Sequence, residues 1–323
     1  MTTRLVLDCD TGTDDAVAIM LAALHPQLHL EAVTTVNGNV PVMNCTENSL
    51  RVLDYIGRGE VPVYEGAAEP IARRDFPVPR SRRGAHEVHG DYLDIPPATT
   101  RKQAGVAADF LVRHFAEAAR AGQPPVLVAV GPLSNLALAL KLDPDFERNV
   151  KRLVIMGGGH EVGNVTPAAE FNIWGDPEAA KVVLGSGIDQ VVLVPLDATH
   201  KALVSGEDCQ RLRGLGTPAG VAAATFVERR IGGYDGSQPM HRLGAAPVHD
   251  ALCIAFLVDP SVISIDKYFV DVETQGDLTI GQTVVDTHHR SGRDPNVWVA
   301  LDADEAKFVQ ILIDTFSIRN LVN

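Results

Sequence analysis

The sequence predicts an α/β fold: an open, mostly parallel, doubly wound sheet flanked by helices, with a small β-hairpin appended near its end. Near-continuous apolar runs at residues 4–8, 30–36, 126–130, 153–156 and 191–195 have the makeup of strands covered on both faces. Helical patterns at 15–24, 42–56, 105–121, 133–140 and 177–185 lie between them. Strand–helix alternation of this kind builds a parallel sheet with helices on both sides. No internal repeat or low-complexity linker divides the chain, so residues 1–323 are expected to form one domain.

Each element has a local cause. The first run leads into Gly12, which allows a tight turn, and a helix is expected from Asp14 or Asp15 onward. The second ends at Val36-Asn37-Gly38-Asn39. The stretch 70–100, rich in Pro, Arg and Gly, reads as a long loop, and long loops inside compact domains often serve as lids. Asp176-Pro177-Glu178 is a helix start, with Asp as cap and Pro at the first helical position. His249 and Asp250 open an apolar helical run. Residues 268–286 alternate in polarity and carry Gly276 and Gly281, which suits a hairpin, and a helix over 304–316 is expected to close the chain.

The 323 residues are 46% hydrophobic and 21% charged. A chain of that size buries roughly three quarters of its unfolded surface, so a full core is available. The net charge of −13 argues against nucleic-acid binding through a basic face. Four cysteines are widely spaced, and Cys9 and Cys253 sit in apolar runs as reduced core residues would. No stretch has the length or apolarity of a bilayer span, and the first residues lead directly into a strand. The expectation is a cytoplasmic protein with neither a membrane nor a nucleic-acid partner.

Chemistry concentrates first at Asp8, Asp10, Asp14 and Asp15, where a strand is expected to end. Ligands bind at strand ends in open parallel sheets. Four carboxylates there repel one another, so they either keep protons or hold a cation, and a hard divalent metal with oxygen ligands is the simplest resolution. An EF-hand is excluded: counted from Asp8, position 5 is Gly12, position 6 is Thr13 and position 12 is Ile19. An aspartyl-phosphate phosphatase is disfavoured because Gly12 stands where Thr or Val belongs. Helix capping by Asp14 and Asp15 accounts for one or two of the four.

A second group follows the strand at 153–156. Glu170 and Asn172 flank Phe171, which puts both on one side of an extended segment, and Asn164 shares their loop. A carboxylate between amides suits hydroxyl recognition on a sugar; it also suits a loop tying down its own backbone. The His249–Asp250 pair reads either as a helix cap or, beside the aspartates, as a proton donor and a further metal ligand. Asn39 adds another amide at the same sheet edge.

Together these pieces resemble the inosine-uridine nucleoside hydrolase family. Asp8-Cys-Asp-Thr-Gly-Thr-Asp-Asp15 is similar to its Asp-x-Asp-Pro-Gly-x-Asp-Asp motif, with Thr11 in place of the usual Pro. Asn37-Gly-Asn39, Val130-Gly-Pro-Leu-Ser-Asn-Leu136, Met156-Gly-Gly, Glu170-Phe-Asn172, Val248-His-Asp250 and the segment from Gly276 to Asp286 match in order, over nearly the whole chain. The resemblance implies hydrolysis of a ribonucleoside to ribose and free base. It implies a calcium ion held by Asp10, Asp15, Asp250 and the carbonyl of Val130, with Asp10 as general base on water. Asp14, Asn39 and Asn172 would bind the 2′- and 3′-hydroxyls, Asn164 and Glu170 the 5′-hydroxyl, and Met156 would pack under the ribose. His249 would assist the leaving base, which places the chain with broad or pyrimidine-preferring members. His89 and Tyr234 would be mobile lid residues over the base, while Trp174 and Trp298 are expected in the core. Homodimers or homotetramers are implied. The competing reading is a non-catalytic nucleoside- or ribose-binding protein.

Overall fold

The computed structural model of the chain describes residues 2–73 and 88–318. Its strands are β1 (Thr3–Cys9), β2 (Leu28–Thr35), β3 (Val63–Glu65), β4 (Val126–Ala129), β5 (Arg152–Met156), β6 (Gln190–Val194), β7 (Leu203–Ser205), β8 (Ala245–Pro247), β9 (Ile263–Tyr268), β10 (Val270–Val272), β11 (Thr283–Val285) and β12 (Val297–Ala303). Eight of them form one sheet in the order β3-β2-β1-β4-β5-β6-β12-β9. All neighbours in it are parallel except β12 and β9. The chain builds outward from β1 through β2 to β3, then returns to place β4 on the other side of β1. That reversal is a topological switch point, and a crevice opens beyond the strand ends there.

Residue alternation along the strands feeds two layers. Leu5, Leu7, Val128 and Val154 pack with the helices Thr13–Leu24 and His249–Val258. Val6, Leu127, Leu153 and Ile155 pack with the helices Ala107–Arg120 and Pro177–Leu184. A period of two thus gives each face its own core, as the apolar runs predict. Asp8 follows the same alternation and is buried. Its Oδ1 accepts from the Thr34 hydroxyl and, at 2.7 Å, from Asn135 Nδ2, which ties β1 to β2 and to the helix Ser134–Leu142. Asp8 is therefore a clamp within the sheet and is separated from the other three aspartates.

The expected strands and helices all form, with shifts at their ends. The first helix starts at Thr13, because Asp15 reaches back to the backbone of Gly12. The hairpin is the antiparallel pair β10–β11, while Tyr268 belongs to β9 in the main sheet. The antiparallel edge β9–β12, the pair β7–β8, and the helices Gly206–Gly214 and Pro218–Ser237 add to the expected list. Positions 74–87 of the expected long loop lie outside the described residues. All four cysteines are free and buried. Among the described residues, no helix is long and apolar enough to cross a membrane.

Asp176 shows how the helix on the far face is held. Its Oδ1 accepts from Ala179 N–H at 3.1 Å, and its Oδ2 accepts from the Ser134 hydroxyl at 2.6 Å and from Ile71 N–H at 2.8 Å. Asp176→Ala removes the cap and leaves buried donors unpaired, so urea denaturation is expected to show a loss of about 2–4 kcal/mol. A loss below about 0.5 kcal/mol, the range of ordinary surface substitutions, would mean that these donors find other partners.

Candidate active site

A cavity of about 590 Å³ opens beyond the ends of β1 and β4. Asp10, Asp14, Asn39, His89, Val130, Met156, Asn164, Glu170, Asn172, Tyr234, His249 and Asp250 line it. Every site residue expected from the sequence is thus brought to one place, except that Asp15 is buried outside the lining.

The floor is built by the turn after β1. Asp15 Oδ1 accepts from Asp10 N–H at 3.1 Å, and Asp15 Oδ2 accepts from Gly12 N–H at 2.9 Å and Asn39 Nδ2 at 3.1 Å. Asp10 Oδ2 accepts from Asn39 N–H at 2.7 Å. Two glycines make room for this carboxylate: a Cβ on Gly38 would lie 2.0 Å from Asp10 Oδ2, and one on Gly131 would lie 2.9 Å from Oδ1. Asp14, Asp15 and Asp250 each bring a carboxylate oxygen within 4.8 Å of the other two. This trio includes Asp14, which the resemblance assigns to the ribose, and does not include Asp10.

Burial and mutual repulsion act on these acids together. Asp10 is raised well above the ordinary carboxylate range, first by burial and then by the charge of Asp15. Asp15 is pushed up to about 7 by burial and by Asp14. Asp250 is raised well above its usual value by burial and by Asp14, Asp15 and Asp10. Clustered, buried, oxygen-only donors of this kind fit a hard divalent cation, which would relieve both causes at once.

Glu170 and Asn172 do not lie on an extended segment. Phe171–Gly175 is a short helix, and Glu170 is its N-cap, accepting from the N–H groups of Asn172 at 2.9 Å, Gly158 at 2.8 Å and Ile173 at 3.1 Å. Carboxylates favour helix N-termini, where free N–H groups converge, and this overrides the alternation expected of a strand. Burial still pushes Glu170 up to about 7 against those bonds. Asn172 Nδ2 donates to the carbonyls of Val130 at 2.8 Å and Met156 at 3.2 Å, and lies 3.4 Å from the Met156 sulfur. Asn164 Oδ1 is buried with no hydrogen-bond partner.

The other wall carries the histidines. His89 Nδ1 accepts from Thr13 N–H at 3.2 Å, and burial pushes the ring down to about 4. His249 Nε2 lies 2.6 Å from the Tyr234 hydroxyl and its Nδ1 2.7 Å from Thr199 Oγ1. Burial, followed by the charge of Arg230, holds His249 well below the ordinary imidazole range. Tyr234 is not on a mobile loop. It stands in the last turn of the helix Pro218–Ser237, which Thr217 caps by accepting from Gly220 N–H at 3.1 Å.

Arg230 is the participant that sequence reading missed. It lies one helical turn before Tyr234, is only 2% exposed, and brings Nη1 to 2.7 Å from Asp14 Oδ1. Its Nε donates to the carbonyl of Pro247 at 2.9 Å, just ahead of His249. The available signal was helical spacing: Arg230 and Tyr234 are four residues apart and share a helix face. Trp174 is buried in the core as expected.

Comparison with known proteins agrees with this geometry. The family model described as inosine-uridine preferring nucleoside hydrolase matches residues 5–310. A pyrimidine-specific ribonucleoside hydrolase, RihA, of Enterobacter sp. (strain 638) is 39% identical over 326 residues, covering 99% of this chain and 100% of the relative. A purine-preferring ribonucleoside hydrolase from Gardnerella vaginalis superposes with a TM-score of 0.87 at 30% identity, covering 98% of each chain. A plant nucleoside hydrolase superposes with a TM-score of 0.88 at 28% identity, covering 99% of this chain and 100% of its own. This chain belongs to the inosine-uridine preferring nucleoside hydrolase family, and it hydrolyses the N-glycosidic bond of ribonucleosides.

Proposed function

We propose that the enzyme is calcium-dependent and prefers pyrimidine ribonucleosides. The observation that carries the metal is the trio of buried carboxylates, Asp14, Asp15 and Asp250, within 4.8 Å of one another beneath the cavity. Asp10 and the carbonyl of Val130 face the same space, and that carbonyl keeps a second lone pair beside its bond to Asn172. Calcium, when bound there, supplies a fixed positive charge that draws in oxygen ligands and acidifies water.

The side chains divide the remaining work. Asp10 takes the proton of the attacking water, a task suited to an ionised carboxylate that lines the cavity beside the other acids. Asp14, Asn39 and Asn172 meet the 2′- and 3′-hydroxyls. Asn164, whose buried Oδ1 lacks a partner, and Glu170 receive the 5′-hydroxyl, and Met156 packs under the sugar. The C1′–N bond breaks with its electron pair going to the base, which His249 and Tyr234 help to leave by hydrogen bonding. His89 closes on the same end of the cavity. The 39% identity to a pyrimidine-specific hydrolase supports the base preference, as does a lining without tryptophan among the described residues.

Three outcomes are expected. Uridine is cleaved far faster than 2′-deoxyuridine, by a factor reaching about 10⁴, because a site built to bond a hydroxyl is left with unpaired buried groups without it. Equal rates would remove Asp14, Asn39 and Asn172 from that role. Chelation abolishes turnover and added calcium restores it; activity indifferent to chelator would sink the metal assignment. Gly38→Ala drives a methyl group into Asp10 Oδ2 and is expected to lower kcat about 10²-fold with the circular dichroism spectrum unchanged. A fully active Gly38→Ala variant would show that the position of Asp10 is not critical.

A further inference from the structure

The carboxylates of the floor spend their oxygens differently. Asp15 accepts from Asp10 N–H, Gly12 N–H and Asn39 Nδ2, and Asp10 accepts from Asn39 N–H. Asp14 lines the same cavity and is 5% exposed, yet its Oδ1 is buried and accepts no hydrogen bond among the described residues. Arg230 Nη1 lies 2.7 Å from that oxygen. The contact is one of charge: the N–H bonds of Nη1 are not aligned on Oδ1, and Thr13 Oγ1 accepts from Nη1 at 3.3 Å. A buried carboxylate oxygen is thus held beside a cation with its lone pairs unspent. A buried acceptor without a donor is costly, and a ligand hydroxyl relieves that cost.

The guanidinium itself is held on several sides. Its stem rises from the helix Pro218–Ser237. Nε donates to the carbonyl of Pro247 at 2.9 Å, just ahead of the helix His249–Val258. Nη1 donates to Thr13, the first residue of the helix Thr13–Leu24. Its Cζ lies 5.4 Å from the centre of the Tyr234 ring, which covers one face. A rigid planar fork can serve all these partners at once, whereas a Lys ammonium on a flexible stem cannot. That rigidity passes to Asp14. Asp15 and Asp250 each bring a carboxylate oxygen within 4.8 Å of one on Asp14 and repel it. Arg230 supplies the fixed attraction that opposes this repulsion.

We propose that Arg230 is a positioning residue that sets sugar specificity: it holds Asp14 in place by charge rather than by a hydrogen bond, so that Asp14 Oδ1 stays open to a hydroxyl of the ribose diol. Selection of ribosides over deoxyribosides is then a property of the Arg230–Asp14 pair and not of Asp14 alone. The proposal rests on the reading that Asp14 meets the 2′- and 3′-hydroxyls, and it goes further by naming what keeps Asp14 there. Arg230 acts through Asp14 and needs no contact with the sugar.

Arg230→Met keeps an unbranched apolar stem and removes the charge and the fork, while Arg230→Lys keeps the charge alone. The measurement is kcat/KM on uridine, 2′-deoxyuridine and 3′-deoxyuridine. In Arg230→Met the value for uridine should fall about 10- to 100-fold, the range of a lost hydrogen bond to a charged group. At least one deoxynucleoside should be little affected, so the preference for uridine over it narrows by the same factor. Arg230→Lys should fall between Arg230→Met and the unsubstituted enzyme; a Lys variant no more selective than the Met variant overturns the role of the charge. Calcium binding, read by titration calorimetry without substrate, should be no weaker in Arg230→Met, since loss of a neighbouring positive charge does not disfavour a cation. Weaker calcium binding, or equal losses on all three substrates, makes Arg230 merely structural and overturns the inference. Should Arg230→Met fail to fold, Arg230→Gln, which retains a donor for Pro247, carries the same test. Asp14→Asn separates the two levels. If it narrows the preference and the Arg230 variants do not, only the role of Arg230 falls. If Asp14→Asn leaves the preference unchanged, the reading of Asp14 as a ligand of the diol falls as well.

Discussion

Repulsion among buried carboxylates is the constraint to which the rest of this site answers. Asp10, Asp14, Asp15 and Asp250 are all at most 5% exposed and converge at the end of one strand. Nothing in a hydrophobic core tolerates that arrangement, and each nearby feature offsets part of it. Backbone N–H groups of Asp10, Gly12 and Asn39 point at carboxylate oxygens. Arg230 sets a guanidinium against Asp14. What these donors leave uncompensated is charge that a cation would balance.

The sheet explains why the charges can gather at all. At the reversal between β1 and β4, no crossover covers the strand ends, so backbone N–H groups from the loops after β1 and β2 are free to meet side chains. The end of the strand at Cys9 then separates residues that look equivalent in the sequence. Asp8 stays inside the sheet and spends its Oδ1 on Thr34 and Asn135, whereas Asp10, two residues on, has left the strand and reaches the cavity. Gly38 and Gly131 matter for the same reason: the carboxylate of Asp10 occupies space that any side chain there would claim.

The parts of this site that depend on local chemistry could be read from the sequence. Strand, turn and helix follow one another around Asp10, Asp14 and Asp15, and the Asp176-Pro177 start behaves as its residues dictate. What escaped depends on distant packing. Glu170 looked like one face of an extended segment because a helix of five residues leaves too little periodicity to detect. Tyr234 looked like part of a loop because the glycines around it, Gly232, Gly233 and Gly236, mask the end of a long helix. Arg230 and Thr199 carried no motif at all; their partners, Asp14 and His249, are 216 and 50 residues away in the chain. Such residues become visible only when the fold brings their elements together.

Arg230 also links the two ends of the cavity electrostatically. Burial alone disfavours charge on acids and imidazoles alike, so it cannot by itself make one end of a site anionic and the other neutral. The neighbours decide. Asp10 and Asp250 are buried beside other carboxylates, and a cation at that end would favour their ionised forms. His249 is buried beside a guanidinium, which adds to the effect of burial and keeps the ring uncharged. One arginine, pinned between Asp14, Thr13 and the carbonyl of Pro247, therefore serves opposite purposes within a few ångströms. It balances negative charge on the floor and excludes positive charge from the ring above Asp250. A neutral imidazole keeps its hydrogen bonds to Tyr234 and Thr199, and it would not repel a cation held below.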